Sequence, residues 1–365
     1  MVALNYGLIS YKLSQLEGLG NIADPALLQV GSTLRMFFKN GNEPQIPLAG
    51  FDNKIHSFVS SDNGVTWSLE SGVRVDVSSP ISVRAAESGG YEAWAWSGKG
   101  TGGEILSRFT SANGSDFTKG SGSAVIVGAC KSADGVAATL LGDSQVVKVA
   151  SGYLAYAQDM QATGSGPFKR HACGLTSADG VNWTLDITRT LAPQNDIQTN
   201  PETYRNSSGV IEQILPIDKI DMQTGVRSGM QIRTSTNDGA SWTDLSELSF
   251  FAADPDRLDL TNGDSLLAFG NFDHRQGGLL GVAKKISTNY KASRTEKGIE
   301  SVSWVISGAA QSAIKIKNLC QDKDLTSSAK FATSGSNITV TYTADAGGRG
   351  NGCVYALIGA EQAIK

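Results

Sequence analysis

Several residue types that would mark common classes of protein are scarce in this chain. Four cysteines in 365 residues are too few for a disulfide scaffold, and none stands in a C-x-x-C metal spacing. Buried free thiols are the plain expectation for Cys130 and Cys173; a Cys320–Cys353 bridge across the tail is the sharper one, and belongs only in an oxidising compartment. Of the three histidines, His56 and His171 flank turns without ligand spacing, so neither argues for zinc. No polybasic block occurs and the net charge is −4, which excludes a phosphate-neutralising stripe and with it a nucleic-acid partner. No apolar run approaches the about 18 residues that span a bilayer, so no membrane partner is expected. Met1 to Leu16 lack a basic stretch followed by an apolar core, so no signal peptide is expected either.

Glycine is abundant instead: 42 residues against nine prolines, which is what many tight turns between short strands require. One turn recurs. Its copies are Ser60-Ser61-Asp62-Asn63-Gly64-Val65-Thr66-Trp67, Thr110-Ser111-Ala112-Asn113-Gly114-Ser115-Asp116-Phe117, Thr176-Ser177-Ala178-Asp179-Gly180-Val181-Asn182-Trp183 and Ser235-Thr236-Asn237-Asp238-Gly239-Ala240-Ser241-Trp242. Each has a hydroxyl residue, an Asp or Asn just before Gly, and an aromatic three residues after it. Asn-Gly and Asp-Gly supply the positive φ of a tight hairpin, short polar side chains bond the turn's own backbone, and the aromatic pins the register. Gly64, Gly114, Gly180 and Gly239 fall 50, 66 and 59 residues apart. The motif resembles the Asp-box, or bacterial neuraminidase repeat, of sialidases and other propellers.

A second repeat runs in phase with the first. A small polar residue, usually followed by Pro, opens a strand, a Gly turn and another strand at Asp24-Pro25, Ser79-Pro80, Asp143-Ser144, Asn200-Pro201 and Asp254-Pro255. The first four lie 40, 35, 37 and 39 residues before their turn glycines, which marks a unit long enough for four short antiparallel strands. The expected fold is therefore all-β: a five-bladed β-propeller over residues 1–300 with a small C-terminal β extension over 301–365. Blades start near 24, 79, 143, 200 and 254. Tyr6 to Lys12 are expected to close the ring as an extra strand of the last blade, whose own turn is degenerate near Ser287-Thr288-Asn289-Tyr290. The tail either completes the fifth blade or forms a small module.

In such a fold the five strand starts ring one mouth of the central channel, and carboxylates gathered there suit glycosidic bond cleavage, where one acid protonates the leaving oxygen and a carboxylate activates water or attacks. The arrangement resembles the five-bladed glycoside hydrolases of the arabinanase and β-xylosidase type. The resemblance implies Asp24, in Ala23-Asp24-Pro25, as general base; Asp143, opening blade three, as the residue that tunes pKa and orientation; and Glu202, early in blade four, as general acid. It also implies a place for His274, in Asn271-Phe272-Asp273-His274-Arg275, beside a central metal ion; no cofactor is required, and Ca2+ is the metal in question. Glu202 stands two residues after Asn200, which holds the register of Asp24, and Asp143 is followed by Ser instead of Pro. A plainer reading is that the polar residue only caps backbone groups where each repeat enters its first strand.

Candidate substrate-binding residues are Trp94, Trp96, Tyr204, Arg205, Arg257 and Asp254. Alternating aromatics at Tyr91, Trp94 and Trp96 usually put one ring in the core and one outside, where it can stack on a sugar; core packing of these rings is the plainer expectation. Sialidase chemistry would need three clustered arginines, for which Arg35, Arg205, Arg233, Arg257 and Arg275 are available, and a Tyr–Glu pair, for which Tyr204 is. The partner expected in every case is a polysaccharide or glycan. A non-catalytic alternative is a glycan- or receptor-binding propeller such as a phage tail or spike protein, joined to a larger assembly through its C-terminal extension. The protein is accordingly expected in the cytoplasm or released within a phage particle.

Overall fold

The computed structural model describes residues 6–11, 19–41, 50–98, 103–131, 137–138, 140–159, 172–191, 201–216, 230–243, 246–248, 253–271, 279–285, 290–295, 298–307, 310–318, 323–343 and 354–358. Strands dominate them, with only 3-10 turns for helix, and none of these is long and apolar enough to cross a membrane.

After β1 (Tyr6–Tyr11), the chain lays down four-stranded antiparallel sheets in sequence order. The first holds β2 (Asn21–Val30), β3 (Thr33–Gly41), β4 (Lys54–Ser60) and β5 (Ser68–Leu69). The second holds β6 (Ile81–Ala85), β7 (Tyr91–Ser97), β8 (Ile105–Ser111) and β9 (Thr118–Ala124). The third holds β10 (Leu141–Val149), β11 (Gly152–Asp159), β12 (Ala172–Ser177) and β13 (Thr184–Leu191). The fourth holds β14 (Glu202–Arg205), β15 (Ile211–Pro216), β16 (Met230–Ser235) and β17 (Ser246–Leu248). A fifth starts with β18 (Ala253–Asp259), β19 (Ser265–Asn271) and β20 (Leu279–Lys285), and β1 pairs antiparallel with β20 as its fourth strand. First strands touch in a closed cycle: β2 on β6, β6 on β10, β10 on β14, β14 on β18, and β18 back on β2.

β21 (Tyr290–Thr295), β22 (Gly298–Ser307), β25 (Lys330–Ser334) and β26 (Asn337–Thr343) form a separate sheet. β23 (Ile314–Asn318), β24 (Lys323–Asp324) and β27 (Val354–Ile358) extend the fifth sheet beyond β1, β27 running parallel to it. The fourth strand of the fifth sheet comes from the N-terminus, and Tyr290 pairs with Trp304 of the separate sheet; Ser287, Thr288 and Asn289 of the expected degenerate turn lie outside the described residues.

Hydrophobic side chains fill the gaps between consecutive sheets. Phe37 packs with Ala93 and Phe109 of the second sheet, while Phe38, next along β3, packs with Leu266 and Val282 of the fifth. Adjacent residues of a strand point to opposite faces, so a middle strand between two neighbours buries both. That is why β7 reads as an unbroken buried run from Glu92 to Trp96 instead of an alternation.

The recurrent turns join third and fourth strands and close by side-chain bonds. In the first, Ser60 Oγ accepts from the Gly64 N–H at 2.9 Å, Asp62 accepts from the Thr66 N–H at 2.7 Å, and Trp67 Nε1 donates to the Gly64 carbonyl at 2.9 Å. The fourth repeats this one residue further from Gly than expected: Asn237 accepts from the Ser241 N–H, as Asp62 does from Thr66. Asn63 and Asp238, the residues before Gly, instead take φ of +58° and +57°. In the second and third turns, one residue shorter, Asn113 and Asp179 before Gly are the acceptors.

Cys130 and Cys173 are not free thiols: they form a disulfide between the segment after β9 and β12. Cys320 and Cys353 lie outside the described residues.

Candidate functional site

Five segments, one from each of the first five sheets, line one cavity: Asp24-Pro25, Pro80-Ile81, Ser144-Gln145, Glu202 and Asp254-Pro255. Of the expected strand starts, Asp24 and Asp254 line it, together with the residues that follow Ser79 and Asp143; Asn200 lies outside the described residues. The cavity is small, about 20 Å³, room for about one water molecule.

Local backbone aims the acids. β2, β10 and β18 each carry an extra residue relative to the partner strand, between Ala23 and Ala26, Gly142 and Ser144, and Ala253 and Asp256. Asp24 and Asp254 sit in two of these bulges with φ of +54° and +43°. Positive φ is tolerable for Asp, the following Pro fixes the exit from the bulge, and a bulge redirects a side chain away from the ladder. Asp24 and Asp254 are brought together with Glu202 on one cavity. Asp143 occupies the third bulge on β10, between cavity neighbours and strand; its side chain lies outside the described part of the structure, as does His274.

Glu202 opens β14, 3% exposed. The Arg257 N–H donates to its Oε1 at 3.4 Å, whereas Oε2 is buried without a hydrogen-bond partner. Burial, and then the neighbouring Asp256 carboxyl, push Glu202 well above the usual carboxylate range. Asp256 is buried too; it accepts the Leu27 N–H on Oδ2 at 2.5 Å, and burial pushes it up to about 8. Two neighbouring acids cannot both ionise cheaply in a buried place, and the Arg257 charge offsets this only in part, so the pair holds a proton at neutral pH. Sequence reasoning passed over Asp256. The signal was present: Asn200-Pro201-Glu202 and Asp254-Pro255-Asp256 set an acid at the same step after Pro.

Five other expected residues lie elsewhere. Trp94 and Trp96 are each 1% exposed, so neither offers a ring to a sugar. Residues two apart share a face of a strand, and both indoles point to the third sheet, Trp94 Nε1 donating to the Gly180 carbonyl and Trp96 Nε1 to Ser144 Oγ, each at 2.7 Å. Arg257 is buried, paired with Glu212 and with Asp259 at 3.2 Å. Tyr204 packs its ring under that guanidinium and accepts the Asp259 N–H at 3.0 Å; burial, and then Asp259, raise its phenol. Arg205 ends β14, away from the cavity, on the Lys148 carbonyl at 2.9 Å and Asp238 at 3.4 Å. Arg35 is held by Glu70, and Arg233 lies on Gln213 and the Trp242 ring; among the described residues no arginine lines the cavity, and Arg275 lies outside them. Among the described residues no group of three or more His, Cys, Asp or Glu is placed to hold a metal ion.

No family model and no curated protein matches the chain. Solved structures do, at low identity. A glycosyl hydrolase from Bacteroides ovatus aligns with a TM-score of 0.53 and 13% identity over 78% of this chain and 96% of its own. Sucrose-6-phosphate hydrolase from Lactobacillus gasseri gives 0.54 and 13% over 98% and 88%. The α-L-arabinofuranosidase of Podospora anserina gives 0.51 and 10% over 78% and 97%. At such identities the likeness is one of fold: this chain shares an all-β architecture with propeller-type glycoside hydrolases.

Proposed function

We propose that the chain is a five-bladed β-propeller that acts on glycan, a glycoside hydrolase-like protein whose carboxyl groups at the axial mouth cleave a glycosidic bond. The closed cycle β2–β6–β10–β14–β18 supports five blades, with β1 completing the last. The four turns, in each of which the Ser hydroxyl donates to an Asp or Asn Oδ1 and accepts the Gly N–H, support Asp-box repeats.

The observation that carries the chemistry is Glu202: a buried carboxyl, shifted to hold its proton, with an unpartnered oxygen, lining the same cavity as Asp24 and Asp254. A general acid must be protonated at working pH, and burial beside another acid does this. In this reading Glu202 protonates the leaving oxygen, Asp24 acts as base or nucleophile, and Asp143 and Asp254 orient the sugar and set the local charge. A polysaccharide or oligosaccharide end would seat over the mouth.

A second reading rests on the cavity volume. About 20 Å³ admits a water and not a sugar ring, and the oxygens of Glu202 and Asp256 that bond backbone N–H groups tie strands together. Those facts favour a non-catalytic glycan-binding propeller, carried on a larger assembly through the C-terminal strands. One experiment separates the readings: a glycan panel assayed for binding and for release of reducing ends, with parent, Asp24→Asn and Glu202→Gln proteins. Turnover abolished by both substitutions supports the hydrolase; binding without turnover in the parent ends it.

A further inference from the structure

Asp256 does not line the axial cavity, yet it connects the two residues to which acid and base roles are assigned above. Glu202 on β14 receives the Arg257 N–H of β18, and Asp256, the residue before Arg257, receives the Leu27 N–H of β2, three residues beyond Asp24. These contacts form a continuous line: Glu202, the backbone at 256–257, the Asp256 carboxyl, the backbone at 27, Asp24. The bonds occupy equivalent places in the ring. In the third sheet the same N–H, that of Val146, is taken by Ser82 of the sheet before, through a hydroxyl that carries no charge. In the fourth and fifth sheets the tie is instead an acid placed directly after Pro, and Ala26 holds that step in the first. A neutral hydroxyl suffices for the tie, so two adjacent buried acids are more than backbone satisfaction requires.

We propose that Asp256 is the positioning residue of the axial site: its carboxyl locks the strand bearing Asp24 against the strand bearing Asp254 and shares one proton with Glu202. Its acidic neighbour is Glu202 from β14, and the Leu27 N–H of β2 meets it from the other side; the Arg257 guanidinium, turned to Glu212 and Asp259, offsets the charge of Glu202 only in part. The Glu202 proton is thus held by its neighbour and by burial. Its assignment rests on the catalytic reading of Glu202, but the lock and the shared proton do not need turnover to be observed.

The test is a carboxyl-carbon NMR titration of glutamate-labelled full-length protein from pH 4 to 10, comparing parent and Asp256→Asn, with Glu202 assigned by Glu202→Gln. Asn keeps an acceptor for the Leu27 N–H and removes the shared charge. The expected result is a Glu202 midpoint at least one pH unit lower in Asp256→Asn, with the melting temperature kept. Asp256→Leu, which also removes the acceptor, should in addition lower the melting temperature and lose hydrogen-exchange protection at the Leu27 amide. An unchanged Glu202 midpoint in Asp256→Asn overturns the shared proton, and unchanged Leu27 protection in Asp256→Leu overturns the lock. If Asp256→Asn does not fold, the parent alone decides: Glu202 must titrate in two steps, coupled to an aspartate, and a single step near the ordinary range overturns the proposal. Should a glycan be turned over, the alkaline limb of kcat moves down with the Glu202 midpoint while KM stays. A shifted midpoint in a protein that cleaves no glycan leaves Asp256 in place and removes only the hydrolase reading.

Discussion

Trp94 and Gly180 are 86 residues apart in the chain and 2.7 Å apart in the fold, the indole N–H of the second sheet donating to the turn carbonyl of the third. The relationship is one of a series. Arg35 donates to the Gly114 carbonyl, Arg108 to that of Asp179 and Arg189 to that of Asp238, so sheets one to three each hold the turn of the next. Packing follows the same rule, with Gly64 of the first sheet against Leu266 of the fifth. The turns therefore work between sheets as well as within one.

Trp94→Phe keeps most of the buried ring and leaves the Gly180 carbonyl without its donor. The expected loss is about 1–3 kcal/mol, the cost of an unsatisfied buried acceptor. Trp94→Ala adds a cavity and should lose about 3–5 kcal/mol. Urea denaturation measures both; a Phe variant as stable as the parent would show that the bond contributes nothing.

Much of this was legible in the sequence, and the boundary is a physical one. The polar-Pro openings and the Gly turns are local devices, so their spacing revealed the repeat, the strand starts and the convergence of Asp24 and Asp254, whereas Glu202 was singled out by the family resemblance alone. The places of Trp94, Arg257 and Asp256 depend on which sheet lies opposite, which no local pattern states. β7 offered rings two residues apart that share one buried face, so the plainer expectation of core packing holds, and the alternative of an exposed ring treated a middle strand as half-solvated. The Cys130–Cys173 pairing likewise joins segments that only the packing of the third sheet brings together.

Gly152 gives a sharp backbone test. It has φ of +131°, and a Cβ there would stand 2.1 Å from the Ser177 carbonyl oxygen, which is backbone and has no rotamer to change. Gly31, with φ of +60°, has nothing within 4 Å of the same atom. Gly31→Ala should cost about 1 kcal/mol, the left-handed penalty alone. Gly152→Ala should cost at least twice as much, read as the difference between the two denaturation midpoints. Equal losses would mean that the hairpin between β10 and β11 yields more than its geometry suggests.

The buried acids set a pH dependence of definite sign. Asp256 moves from an ordinary 3.8 to about 8 on folding, chiefly through burial, and Glu202 moves in the same direction. Between those values the folded chain binds more protons than the unfolded one, so stability falls as pH rises, by at most about 1.4 kcal/mol per pH unit for one shared proton. Carboxylates shifted the other way, such as Glu70, whose partial burial is outweighed by its bonds from Arg35 and Ser57, lose their contribution only as the medium becomes acid. The range from pH 5 to 9 therefore isolates the pair. Denaturation midpoints should fall across it in the parent and stay nearly level in an Asp256→Asn, Glu202→Gln double variant; parallel curves would refute the shifted pair.

Cys130 and Cys173 test the remaining long-range restraint. Their bond spans 43 residues and lies in the core with Trp94 and Trp96, both sulfur residues almost wholly buried. Closing a loop of that length restricts the unfolded chain, and the chain-entropy relation gives a stabilisation of about 4 kcal/mol at 25 °C. A Cys130→Ala, Cys173→Ala variant should lose about that amount, since alanine leaves no buried hydroxyl to add a separate penalty. Because the bond is inaccessible in the folded state, dithiothreitol should act only through the unfolded chain and lower the denaturation midpoint without reducing the native protein. Thiol titration under native conditions checks the second half: it should find Cys130 and Cys173 unreactive with and without reductant, and free thiols at both before any reduction would remove the restraint from the fold.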